Sequence, residues 1–189
     1  MKKIFYTWQD VEAAANTIVN DLAADNWRPD YVVGITRGGL ALALLLSHKL
    51  GVRMETLKVK LRDVADGECC ETNCWMAEDA FGYANNYNAT TGGWSDPLAR
   101  KKILVVDDIN DSGATFAWIK DDWQNSCMPN NPVWTDEIFG GNVRFAVMTE
   151  NLSSDFGSVS YYWHEVNKAE DNTWLVYPWE KESWLPNMA

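Results

Sequence analysis

The sequence predicts an α/β fold, with a mostly parallel central sheet flanked by helices. Three observations carry that prediction. Short apolar runs alternate with longer stretches of helical periodicity, the order expected of a sheet built from strand–helix units. Two of these runs, YVVGI (31–35) and ILVV (103–106), lead straight into a glycine-bearing turn and then into a helix-like segment. Both turns, TRGG and DSGAT, therefore fall beyond the carboxyl end of a strand, where parallel α/β sheets place their ligand sites.

The elements follow in order. Thr7 with Asp10 three positions later forms a helix-start signature, and Val11, Ala14, Ala15, Ile18, Val19 and Leu22 recur at helical spacing, which predicts a helix over 8–24. Pro29 ends that pattern. After the 31–35 strand and the Thr36-Arg37-Gly38-Gly39 turn, 40–50 reads as a helix closed by Gly51. METLKVKL (54–61) is a second strand. Some forty residues of weak periodicity follow, with a short helix near 75–84; a connection that long inside a compact domain is more often functional than idle. Strands at 103–106, 143–148 and 159–163 and a helix over 114–123 complete the expectation.

Composition bounds the rest. A chain of 189 residues suits one domain. With 47% hydrophobic residues and 11 Trp it is globular rather than disordered. No apolar run approaches the ~18 residues that cross a bilayer. MKKIFYTWQD turns polar too early for a signal peptide, so a cytoplasmic location is expected. Net charge is −11, which disfavours nucleic acid and anionic membrane as partners but leaves room for a small polyanion held by backbone N–H groups and a metal. Cys69, Cys70 and Cys74 cluster without a second CxxC and without His48 or His164 nearby in sequence, so reduced thiols are expected there rather than zinc.

Four segments carry chemistry. Asp111-Ser112-Gly113-Ala114-Thr115 opens a helix, where successive N–H groups and two hydroxyls make a cup for a phosphate monoester; alone, it is equally an ordinary helix cap. Asp107 and Asp108 stand just before it, suited to vicinal hydroxyls or a hydrated Mg²⁺. Acids beside a phosphate cup imply a sugar phosphate, a ribose 5-phosphate in particular. Arg37 and Gly38 form a second anion-suited turn, or a plain connection. Trp174 and Leu175, within NTWLVYPWE, offer a face for a heterocycle, or pack in the core.

Jointly, VVDDINDSGAT, YTWQDVEAA, VGITRGGLALALLLSHKLGV and TWLVYPWE resemble the type I phosphoribosyltransferases, and within them the bacterial purine (xanthine-guanine) branch. The likeness covers about 1–55, 103–125 and 143–181. It implies transfer of a 5-phosphoribosyl group from 5-phosphoribosyl 1-pyrophosphate (PRPP) to guanine, hypoxanthine or xanthine, with Mg²⁺ as cofactor. It places Asp107 and Asp108 at the ribose hydroxyls and metal, Asp111 as the catalytic acid–base group near purine N7, and 111–115 on the 5-phosphate. Arg37 and Gly38 would face pyrophosphate in a loop that often holds a non-proline cis peptide. Trp174 and Leu175 would form the base pocket, and Glu180 would take the place of a metal-associated aspartate. Purine-salvage members carry a base-reading lysine after the strand matching 143–148; here Asn151 stands at that point and offers a neutral amide. The resemblance further implies one domain over 1–189, with 62–100 as an inserted loop or lid, 150–189 contributing a hood, and a homodimer or homotetramer. A transferase for another acceptor, or a relative that binds PRPP or a nucleotide without turnover, are the other readings.

Overall fold

The computed structural model describes residues 2–61, 70–88, 93–130, 134–171 and 173–180. In chain order the elements are β1 (Lys2–Phe5), α1 (Trp8–Ala24), β2 (Tyr31–Thr36), α2 (Leu40–Leu50), β3 (Arg53–Lys58), α3 (Cys74–Phe81), β4 (Tyr83–Asn88), β5 (Gly93–Ser95), β6 (Ile103–Asn110), α4 (Ala114–Asp121), β7 (Val143–Asn151), β8 (Tyr161–Val166) and β9 (Thr173–Val176). A π-helical turn, Asp122–Cys127, prolongs α4.

The central sheet has the order β3-β2-β6-β7-β8, and every pair in it is parallel. Its two faces bury separate clusters. Val32, Leu104, Val106, Ala146 and Met148 meet α1 and α2 on one side, through Val11, Ile18, Leu22, Leu42 and Leu46. Val33, Val105, Phe145 and Val147 meet α3 and α4 on the other, through Met76, Phe81, Phe116 and Ile119. Strands sandwiched this way lack polar alternation, which is why YVVGI and ILVV read as continuous apolar runs. The Thr7/Asp10 capping box forms as expected, with Thr7 Oγ1 accepting from the Asp10 N–H and Asp10 accepting from the Thr7 N–H.

Several boundaries differ from the sequence expectation, each for a tertiary reason. β6 does not end at Val106 but runs through both aspartates to Asn110, because β7 stays paired with it as far as Asn110↔Glu150. β7 extends to Asn151 for the same reason. The polar residues of this stretch hide the strand from hydropathy. Along it the side-chain alternation slips by one: Leu104, Val106 and then Ile109 share a face, which sends Asn110 to the Phe156 side. β3 stops at Lys58 rather than Leu61, and β8 is shifted to 161–166. The 62–100 stretch holds α3 and also an antiparallel β4–β5 pair; Arg62, Asp63 and Cys69 lie outside the described residues. β1 and β9 form a separate two-stranded parallel sheet that four-residue strands gave no periodicity to announce.

A polar chain fastens that small sheet to the large one. Tyr177 OH donates toward Thr149 Oγ1 and the Asp108 carbonyl, at 3.1 and 3.2 Å. Thr149 donates to Tyr6 OH, which in turn shares a hydrogen bond with Nδ1 of His164.

The Asn110–Glu150 contact is the less comfortable consequence of the extended pairing. Asn110 Nδ2 donates to Glu150 Oε1 at 2.8 Å, but the buried Oε2 has no hydrogen-bond partner among the described residues. Burial, with the nearby Glu165 charge, pushes the Glu150 carboxyl up to about 7. A carboxyl whose folded pKa lies above its unfolded value holds its proton more tightly in the folded state, so stability falls as pH rises from the unfolded pKa through 7. Glu150→Gln is therefore expected to stabilise the protein at pH 8 by about 1–2 kcal/mol. In paired thermal melts of the two proteins the gain disappears at pH 5; a gain equal at both pH values would rule out ionisation as its cause.

Candidate active site at the carboxyl edge of the sheet

A cavity of about 350 Å³ opens where β3 and β6 end, between 59–61 and 107–116. Asp107, Asp108, Asp111, Ser112, Gly113, Ala114 and Thr115 all line it. Its floor is the start of α4. The N-cap of that helix is Gly113, which has no capping side chain, and Ser112 Oγ takes the Ala114 N–H instead, at a long 3.5 Å. Gly113 begins the helix with φ of 86°, and a Cβ there would come within 2.6 Å of Phe156. Only glycine meets both conditions. Ser112 thus both caps the helix weakly and lines the cavity.

The β2–α2 turn, which carries the cis peptide between Thr36 and Arg37, packs against Asp107 and Asp108 but does not itself line the cavity. Gly38 lies flat against Asp108; a Cβ at Gly38 would overlap that carboxylate. Gly39 is equally close to the Val106 carbonyl. Arg37 is exposed at the rim. Asp107 Oδ1 accepts from the Asp108 N–H at 3.0 Å. Burial, and then the neighbouring Asp108 charge, push the Asp107 carboxyl well up. Burial, and then the Glu180 charge, push Asp108 up to about 6. Glu180 is brought to this place by the turn after β9, where its Oε2 accepts from the Tyr177 N–H at 3.1 Å.

Asp111 is gripped from two further strands. Asn151, at the end of β7, donates through Nδ2 to the Asp111 carbonyl at 2.8 Å, and its Oδ1 accepts from the Ser153 and Lys168 N–H groups. The Asn151 amide is thus engaged within the protein. Lys168, just past β8, donates from Nζ to Asp111 Oδ1 at 2.9 Å. Sequence reading did not single out Lys168: it sits in a polar turn, and only the parallel β7–β8 pairing carries it back to Asp111. Lys60 on the cavity wall and Tyr177 under Asp108 were missed likewise.

Of the remaining expected residues, Leu175 is buried opposite Ile4 of β1, whereas Trp174 is 53% exposed. Neither lines the cavity itself. Cys74 and Cys127 are free thiols. Among the described residues no three His, Cys, Asp or Glu side chains gather as a metal cage, and no helix is long and apolar enough to cross a membrane.

Known proteins share this fold. Three solved structures superpose over nearly the whole chain. Purine phosphoribosyltransferase from Pyrococcus horikoshii Ot3 has a TM-score of 0.61 at 19% identity, covering 98% of this chain and 99% of its own. Xanthine-guanine-hypoxanthine phosphoribosyltransferase from Helicobacter pylori has a TM-score of 0.60 at 16% identity, covering 95% and 94%. A hypothetical protein from Neisseria gonorrhoeae with bound ppGpp has 0.60 at 18%, covering 95% and 89%. At such identities the likeness is one of fold. The family profile named phosphoribosyl transferase domain matches residues 2–121, which contain both glycine turns and both aspartates, and the chain belongs to that family.

Proposed function

We propose that the protein transfers the 5-phosphoribosyl group of PRPP to a purine base (guanine, hypoxanthine or xanthine) and releases pyrophosphate. One observation carries the reading: a helix N-terminus that opens on Gly113 shares a single cavity with two crowded carboxylates immediately upstream. That pairing suits a ligand with a phosphate at one end and vicinal hydroxyls a few ångströms away. The purine assignment is favoured by the named activities of the Pyrococcus and Helicobacter structures.

In this reading the 5-phosphate sits on the N–H groups and hydroxyls of 111–115. Asp107 and Asp108 take the ribose hydroxyls. Pyrophosphate faces Arg37 and Gly38, and the base lies against Trp174 with Leu175 behind it. Mg²⁺ suits the donor set: the carboxylates are hard oxygen ligands, their mutual repulsion is relieved by a cation, and Mg²⁺ needs only one or two protein carboxylates beside substrate phosphates. Asp107, Asp108 and Glu180 would hold it, and when bound it offsets charge on the departing pyrophosphate. Asp111 holds the proton that the purine ring nitrogen gives up as the sugar carbon, oxocarbenium-like in the transition state, bonds to the base. The activated sugar would hydrolyse in open water, a need that a lid from 62–100 and a hood from 150–189 would meet. Assembly as a homodimer or homotetramer, with small-molecule substrates alone as partners, completes the proposal.

A panel of guanine, hypoxanthine, xanthine, adenine and orotate, assayed for pyrophosphate release, tests it: turnover is expected with one or more of the first three. Turnover with orotate alone would transfer the assignment to a different acceptor, and PRPP binding without any turnover would make the protein a binder. Asp111→Asn should lower kcat by about 10²-fold while changing the KM for PRPP little; equal losses in both would reduce Asp111 to a binding role. Because a metal binds the deprotonated carboxylate, and Asp108 is pushed up to about 6, the Mg²⁺ concentration giving half-maximal rate should climb as pH falls below 6. A requirement flat from pH 5 to 8 would remove Asp108 from the metal.

A further inference from the structure

The Asp111 carboxylate lies in a cavity that already holds Asp107 and Asp108. Three carboxylates on one wall repel, and a side chain meant to meet a ligand in one orientation needs something to hold it there. The fold provides this from two strands away. Lys168 Nζ bonds Asp111 Oδ1 at 2.9 Å, and Asn151 Nδ2 approaches the same oxygen at 3.5 Å. Both donors are themselves fixed. Asn151 is buried, and its Oδ1 accepts the Lys168 N–H at 3.0 Å. The Leu152 N–H donates to the Val166 carbonyl at 2.8 Å, closing the ends of β7 and β8 together beneath Lys168. The Asp111 backbone is held separately, through its carbonyl, by the same Asn151 amide. The Lys168 and Asp111 side chains are 25% and 27% exposed. This is more burial than the freely solvated ion pairs that contribute almost nothing, and a charge-assisted bond of this length is directional.

We infer that Lys168 is a positioning residue for Asp111: it fixes the carboxylate in the orientation used in the reaction and offsets the like charge of Asp107 and Asp108, acting through Asp111 rather than on the acceptor base. The inference rests on the phosphoribosyl-transfer reading of the cavity. The side chain Lys168 holds is the one expected at the acceptor, so its loss should fall on the chemical step.

Lys168→Met and Lys168→Arg, compared with wild type under the base panel, test this. The expected result for Lys168→Met is a fall in kcat of about 10–100-fold, with the KM for PRPP and the order of preference among bases unchanged. Lys168→Arg, which can still donate to Oδ1, should recover most of the rate. Wild-type kcat in Lys168→Met would overturn the inference. So would an altered base preference, which would put Lys168 on the acceptor, or a loss confined to the KM for PRPP. If Lys168→Met folds poorly by thermal melt, Lys168→Gln takes its place. A second readout needs no turnover. The Asp111 carboxyl ¹³C resonance, assigned by its disappearance in Asp111→Asn, should shift in Lys168→Met and hold nearly still in Lys168→Arg. No shift would overturn positioning even in a protein that turned over no base. A shift in a protein without turnover would leave positioning intact and sink the transfer reading alone.

Discussion

The contact between the Gly38 backbone and the Asp108 carboxylate sets where the adjacent aspartates of β6 stand. The β2–α2 turn approaches that strand so closely that no side chain fits between them. The approach is possible because β2 and β6 are directly hydrogen-bonded and parallel, so both chains leave the sheet at the same edge. Once turn and strand are pressed together, Asp107 and Asp108 lose much of their water and sit beside each other's charge. Their raised proton affinity follows from geometry. Such a pair resists being left alone, and a cation or a set of hydroxyl donors is what relieves it.

The carboxylates do not drift apart under that repulsion because they are inside a strand. β6 keeps its ladder with β7 past Asp107, and the alternation slip turns Asn110 and Glu150 inward on the far side. The cost of this rigidity appears as a buried carboxylate oxygen without a hydrogen-bond partner among the described residues. Support comes in two chemical styles. Beneath Asp108 it is a run of hydroxyls, Tyr177, Thr149 and Tyr6, ending at His164. Beside Asp111 it is an amide and an ammonium.

Much of this was legible in the sequence, and what was not has physical reasons. The double-faced strands betray themselves as apolar runs, and the glycines flag backbone approach, so the sheet and both turns could be read in advance. Asp107 and Asp108 stood out because acids rarely follow a buried strand. The further course of β6 and β7 was invisible because pairing there is maintained by polar residues. Asn151 was legible as a departure in a resemblance but not as a tether, since its partners lie 40 and 17 positions away in sequence. Lys168 had no signal at all: a lysine in a polar turn is the commonest of surface residues, and its meaning comes from the register of β8 against β7.

The pairing of β1 with β9 has a temporal side. Lys2 lies opposite Thr173 and Phe5 opposite Val176, so β1 waits during synthesis for a strand that follows the whole central sheet. That sheet can assemble earlier from nearer neighbours, but Tyr6 has no Tyr177 to stack on, and Asp108 no phenol beneath it, until the segment after β8 has been made. Contacts of such long sequence separation are the slowest to form. The cavity can therefore take its outline during synthesis, while its final support arrives only with the segment that also delivers Trp174 and Glu180, so a nascent chain has the shape of the site before it has the means to use it.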